Sequence, residues 1–96
     1  MDFKKLKQEM ETVFNTISEA ALAGDPPKED DASLLLRLSR QMHSMADEAW
    51  ETESEDFSHL ANQLLHAVKK GETQDAIMIV ESLNDAQSYC HQTFRL

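Results

Sequence analysis

Apolar side chains recur every three or four residues in four separate stretches of this 96-residue chain. That spacing places them on one face of an α-helix, and no stretch shows the alternating β-branched pattern that predicts a strand. The chain is therefore predicted to be all-α. Apolar stripes of similar length that are separated by short breaks favour antiparallel packing of neighbouring helices. We expect an antiparallel up-down-up-down four-helix bundle that forms one domain over residues 1–96. The stripes are Phe3, Leu6, Met10, Val13, Ile17 and Ala20; Leu35, Leu38, Met42, Met45 and Ala49; Phe57, Ala61, Leu64 and Val68; and Ala76, Val80, Leu83, Gln87, Cys90 and Phe94.

Polar and helix-breaking residues between the stripes predict where the first two helices begin and end. The first helix is expected over residues 2–23. A linker from Gly24 to Asp31 follows, and its two prolines cannot continue a helix. Asp31 or Ser33 can cap the second helix, which is expected to end near Glu51.

Further capping signals predict the boundaries of the last two helices. Thr52 and Glu55 have the spacing of a capping box in front of the third helix. Gly71 suits a left-handed C-terminal cap of that helix, and Thr73 can cap the fourth. Trp50 is expected to widen the apolar stripe of the second helix.

The charge of the chain limits its partners. Acidic residues outnumber basic residues by 18 to 9, which gives a formal net charge of −9. That charge repels phosphate backbones and anionic lipids, so neither nucleic acid nor a membrane is an expected partner. Cys90 is the only cysteine, and no apolar stretch approaches the ~20 residues of a membrane span. The chain as given is expected to be soluble and cytoplasmic, or periplasmic if Met1 replaces a removed signal peptide.

Two residues with iron-binding side chains fall on inner stripes near opposite ends of the chain. Met10 lies about two turns inside the first predicted helix, and His91 about one to two turns from the end of the fourth. These two helix ends meet in an up-down-up-down bundle, so the thioether and the imidazole are expected to face one another. Such a pair suits the axial positions of a haem iron. Asn84 and Gln87 place further polar groups on or beside this stripe, which a hydrated helix end would also explain.

The residues around Met10 and His91 resemble those of the cytochrome b562 family. The segment LKQEMET at residues 6–12 is similar to the first-helix segment that supplies the methionine ligand in that family. The segment YCHQTFR at residues 89–95 is similar to the terminal segment that supplies its histidine ligand. Residues 56–59 (DFSH) and the turn that contains Gly71 are also alike.

The resemblance implies a periplasmic-type electron carrier that holds non-covalent haem b, with Met10 and His91 as axial ligands. A thioether ligand favours ferrous iron and raises the reduction potential. Phe57 or Trp50 would supply an aromatic wall, and Arg95 a cation near a propionate. The acidic surface would steer the protein toward a basic redox partner protein.

A second class of function is open beside this one. A cofactor-free bundle would serve as a small acidic interaction or adaptor protein that has kept the fold but not the haem. Such a protein could form a homodimer through apolar surface such as Leu34, Leu36 or Trp50. Neither interpretation makes the chain an enzyme, since it shows no pairing of nucleophile and base and no phosphate cradle.

Two histidines carry weaker resemblances. Cys90-His91 looks like the second half of the CxxCH haem-attachment motif found in the related cytochrome c prime family, which would allow one thioether bond. His66 loosely resembles the histidine of phosphotransfer bundles, although Lys70 stands where those bundles have a small residue.

Overall fold

Four helices make up the computed structural model, which describes residues 2–94. They are α1 (Phe3–Leu22), α2 (Glu29–Ser44), α3 (Glu51–Lys70) and α4 (Thr73–Phe94). Each helix packs against its two neighbours in a ring that α4 closes on α1. The prediction of an all-α four-helix bundle is confirmed, and α1 lies within one residue of its predicted bounds.

The predicted apolar stripes form the core between the helices. Their spacing turns one side of each helix inward, and all four helices contribute to a single cluster of buried side chains. The radius of gyration is 12.6 Å, close to the ~13 Å of a folded domain of this size. The largest fully buried apolar side chains are Leu6, Ile17, Leu35, Leu38, Leu64 and Leu83.

The predicted cap of α2 is wrong. The helix begins at Glu29, after Lys28, so Asp31 lies inside its first turn and Ser33 further along. Lys28 makes no side-chain capping bond. The acidic side chains of Glu29, Asp30 and Asp31 instead complement the partial positive charge at the start of the helix.

The predicted end of α2 near Glu51 is also wrong, because the helix stops at Ser44. In the connection to α3, the Asp47 carboxylate accepts a hydrogen bond from the Ala49 N–H at 2.9 Å. The Trp50 N–H donates to the Asp47 carbonyl at 3.2 Å. These bonds form a tight turn, which takes Trp50 out of the α2 stripe and buries it at the start of α3.

The last two helices are joined by the predicted glycine. Gly71 has φ 71° and ψ 22°, a left-handed conformation that ends α3 as expected. The other two capping predictions are wrong: Thr52 lies inside α3, which begins at Glu51, and Thr73 is already the first residue of α4. The α3 N-cap, Trp50, makes no side-chain capping bond.

The ring of helices is not packed equally all round. Of the four neighbouring pairs, α1 and α4 pack together least closely.

Leu36 and Trp50 are each only 7% exposed, so two of the three side chains suggested for a dimer surface are instead in the protein interior. Within residues 2–94, no helix is both long enough and apolar enough to cross a membrane.

Candidate functional site

A cavity of about 210 Å³ lies towards the end of the bundle where α1 and α3 begin and α2 and α4 finish. Met10 of α1 and His91 of α4 both line it. Met10 is only 9% exposed, whereas His91 is open to solvent. The fold therefore brings the two predicted ligands to one cavity, and their role as ligands stays a prediction.

Two aromatic side chains at the start of α3 also line the cavity. Trp50 is buried and Phe57 is half-buried, so either could form the predicted aromatic wall. Trp50 is held by the Phe3 ring, whose centroid lies 5.8 Å from its own at an angle of 52°. The Lys7 ammonium also lies over the Phe3 ring, 5.8 Å from its centroid, which is within the range of a cation–π contact. Arg95 lies outside the described residues.

Two serines of the cavity wall already use their hydroxyl protons. Ser39 Oγ donates to the Leu36 carbonyl at 2.8 Å, and Ser54 Oγ donates to the Glu51 carbonyl at the same distance. Ser54 Oγ also lies 2.7 Å from His43 Nδ1. With the serine proton on the Glu51 carbonyl, the bond is formed by the His43 tautomer that carries its proton on Nδ1. The bond joins the end of α2 to the start of α3 beside the cavity.

Sulfur atoms are concentrated at the same place. Cys90 and Met42 line the cavity together with Met10. Burial raises the pKa of the Cys90 thiol, and the nearby Glu53 carboxylate raises this pKa further. Both influences favour the protonated thiol at neutral pH.

The charged residues of the cavity are mixed in sign. Lys7 contributes one positive charge, and Glu11 and Glu53 contribute two negative charges. Gln87 adds an uncharged amide. The sequence places three polar residues late in the α4 stripe. Gln87 and His91 line the cavity, whereas Asn84 is exposed to solvent and does not.

The other histidine singled out from the sequence lies elsewhere. His66 is exposed on α3 and lines a separate groove with Lys70 and residues at the start of α4. The phosphotransfer interpretation stays a prediction. Among residues 2–94, no three histidine, cysteine or acidic side chains form a group that could hold a metal ion.

Sequence reasoning missed several residues of the cavity. Met42 was assigned only to the α2 core stripe, and Lys7, Glu53 and Ser54 were given no role. The signal was available, because the argument that brings Met10 and His91 together also brings the end of α2 and the start of α3 to the same place.

Comparisons with protein families, with curated proteins and with solved structures give no match for this chain. The resemblance to the cytochrome b562 family therefore rests on the short segments of the sequence alone.

Proposed function

We propose that this chain binds haem b in the cavity and transfers single electrons, with Met10 and His91 as the axial ligands. One observation carries the proposal: a methionine from the first helix and a histidine from the last line the same cavity. Thioether and imidazole are an established ligand pair for haem iron in electron carriers. Ligand sites in bundles are commonly built from side chains on facing helices, and Met10 and His91 lie on neighbouring helices.

The side chains that line the cavity suit a porphyrin, but the volume of the cavity is too small for one. Apolar and aromatic side chains such as Phe14, Leu35 and Phe57 dominate the wall, which suits a large flat apolar ring. The volume of about 210 Å³ is below the ~300–1,000 Å³ of typical ligand pockets. Binding would therefore require α1 and α4, the most loosely packed pair, to move apart.

Each residue would have a separate task. Met10 is buried, so its sulfur would hold one axial position away from water, while the exposed His91 would hold the other near the surface. Lys7 supplies a cation at the cavity that could pair with a propionate, a role predicted for Arg95. When bound, the haem would supply the one-electron couple, and a thioether ligand would raise its potential.

The surface charge suggests the kind of electron-transfer partner. A net charge of −9 would attract a basic redox protein, and salt would weaken that attraction by screening. For a haem carrier that resembles this family, we expect a periplasmic location.

A haemin titration of the purified chain tests the assignment of the ligands. We expect saturation at one equivalent in the parent protein. His91→Ala should weaken haemin binding by more than about 100-fold, since even the outer-shell partners of metal ligands are typically worth about 10- to 100-fold. Met10→Ala should keep a five-coordinate haem with a lower reduction potential, measured by spectroelectrochemistry.

Two matched controls lie outside the cavity, one on α3 and one on α4. His66→Ala and Met78→Ala remove the same two kinds of side chain from exposed positions of α3 and α4. Both should leave haemin affinity and potential unchanged. If His91→Ala and Met10→Ala behave like these controls, the ligands are misassigned. If the parent chain binds no haemin, the cofactor-free interaction protein becomes the better explanation of the fold.

A further inference from the structure

The cavity holds an unusual share of the soft metal-binding side chains of this chain. Met10 and Met42 are two of five methionines, Cys90 is the only cysteine, and His91 is one of four histidines. Cys90 and His91 are consecutive residues of α4, and the fold brings Met10 of α1 and Met42 of α2 to the same space. Methionine alone would be explained as a flexible core filler. Three sulfur side chains from three different helices in the same wall need a further explanation.

The chemistry of these four side chains selects a particular kind of metal ion. Thioether and thiolate sulfur favour soft ions such as Cu(I), and imidazole also binds copper. Hard ions such as Mg²⁺ and Ca²⁺ require several oxygen ligands instead. Among residues 2–94, no three histidine, cysteine or acidic side chains form a group that could hold a metal ion, so a site in this cavity depends on the methionine sulfurs. The donor set therefore favours Cu(I).

The charges around the cavity also favour a cation. Glu11 and Glu53 exceed the single positive charge of Lys7, and the whole chain carries −9. The Ser39 and Ser54 hydroxyls donate to helix carbonyls, so neither offers its proton to an anion. A volume of about 210 Å³ is more than sufficient for a single ion held by side chains.

We propose that this cavity is a Cu(I) site, with Met10, Met42, Cys90 and His91 supplying its ligands. On binding, the Cys90 S–H bond breaks, the proton passes to solvent and a sulfur–copper bond forms. Copper remains Cu(I), and no electron is transferred. The proposal goes beyond haem binding but shares Met10 and His91 with it, so haem and Cu(I) should exclude one another.

An anaerobic Cu(I) titration tests the site, with bicinchoninate as the coloured competitor and ascorbate keeping copper reduced. The parent chain should bind one equivalent. Cys90→Ser should lower Cu(I) affinity by about 10- to 100-fold or more, and Met42→Leu by a smaller factor. Met78→Leu, at a methionine that is 62% exposed, is the matched control and should change nothing. Circular dichroism should show that all three variants keep the parent helicity.

The two proposals fail in different ways. Cys90→Ser and Met42→Leu should lower Cu(I) affinity by a larger factor than haemin affinity, because both side chains line the cavity but neither is a proposed haem ligand. Haemin binding without tight Cu(I) binding would overturn the copper site alone, and the reverse would overturn the haem site alone. Cu(I) affinity that is the same in Cys90→Ser, Met42→Leu and the parent would show adventitious binding and overturn the copper proposal.

Discussion

The two ends of the bundle use the same helical spacing with different side chains. At the end that contains the Gly71 turn, the core is completed by Ile17, Ala32 and Ala76, all with 0% exposure. At the opposite end, Met42 is half-buried, His91 is exposed, and a cavity of about 210 Å³ separates the helices. Small and branched side chains let helices approach closely, whereas long methionines and polar groups leave the other end open. The comparison shows that the core is filled at the Gly71 end, whereas a cavity lies between the helices at the other end.

The largest expected effect tests that division directly. Ile17→Ala should lower the free energy of unfolding by about 2–5 kcal/mol, because it creates a void in the closed end. Met10→Ala in the ligand-free protein should cost about 2 kcal/mol or less, since Met10 already borders a cavity. Urea denaturation measures both values. Equal losses would show that the two ends are packed equally well and would break the comparison.

A smaller effect is expected at the turn of the closed end. Gly71→Ala should cost about 1–2 kcal/mol, because the left-handed backbone disfavours any side chain with a Cβ. An added Cβ would meet no atom within 4 Å, so the cost comes from the backbone conformation and not from a clash. Gly71→Asn is the control and should lose less, since asparagine tolerates this conformation. Thermal unfolding with equal losses for both variants would contradict this explanation.

The smallest effect concerns the polar contact beside the cavity. Ser54→Ala should cost about 1 kcal/mol, because it leaves the His43 N–H without the acceptor that joins α2 to α3. Ser39→Ala is the matched control, since its hydroxyl donates to a carbonyl of its own helix. Chemical denaturation should give a larger loss for Ser54→Ala than for Ser39→Ala. The reverse order would show that the contact with His43 does not stabilise the open end.

Periodicity was sufficient to predict the architecture and the ends of α1. An apolar stripe must be buried by some partner, and four of them joined by short connections leave few arrangements. The same argument also predicted that Met10 and His91 share one end of the bundle, which the structure shows.

The connection between α2 and α3 could not be predicted in the same way. Alanine and glutamate between Ser44 and Glu51 favour helix locally, so the second helix was extended too far. The actual turn depends on the Asp47 hydrogen bonds and on packing of Trp50 against Phe3, a residue near the start of the sequence. Such a tertiary contact overrides local propensity, and it leaves no periodic signal.

The most direct test of the central claim is a haemin titration followed by visible absorption after reduction with dithionite. If the cavity end is a haem site, the parent chain will saturate at one equivalent and show sharp reduced α and β bands. His91→Ala will lose these bands, and His66→Ala will keep them. The absence of saturable binding, or bands that survive in His91→Ala, would contradict the account.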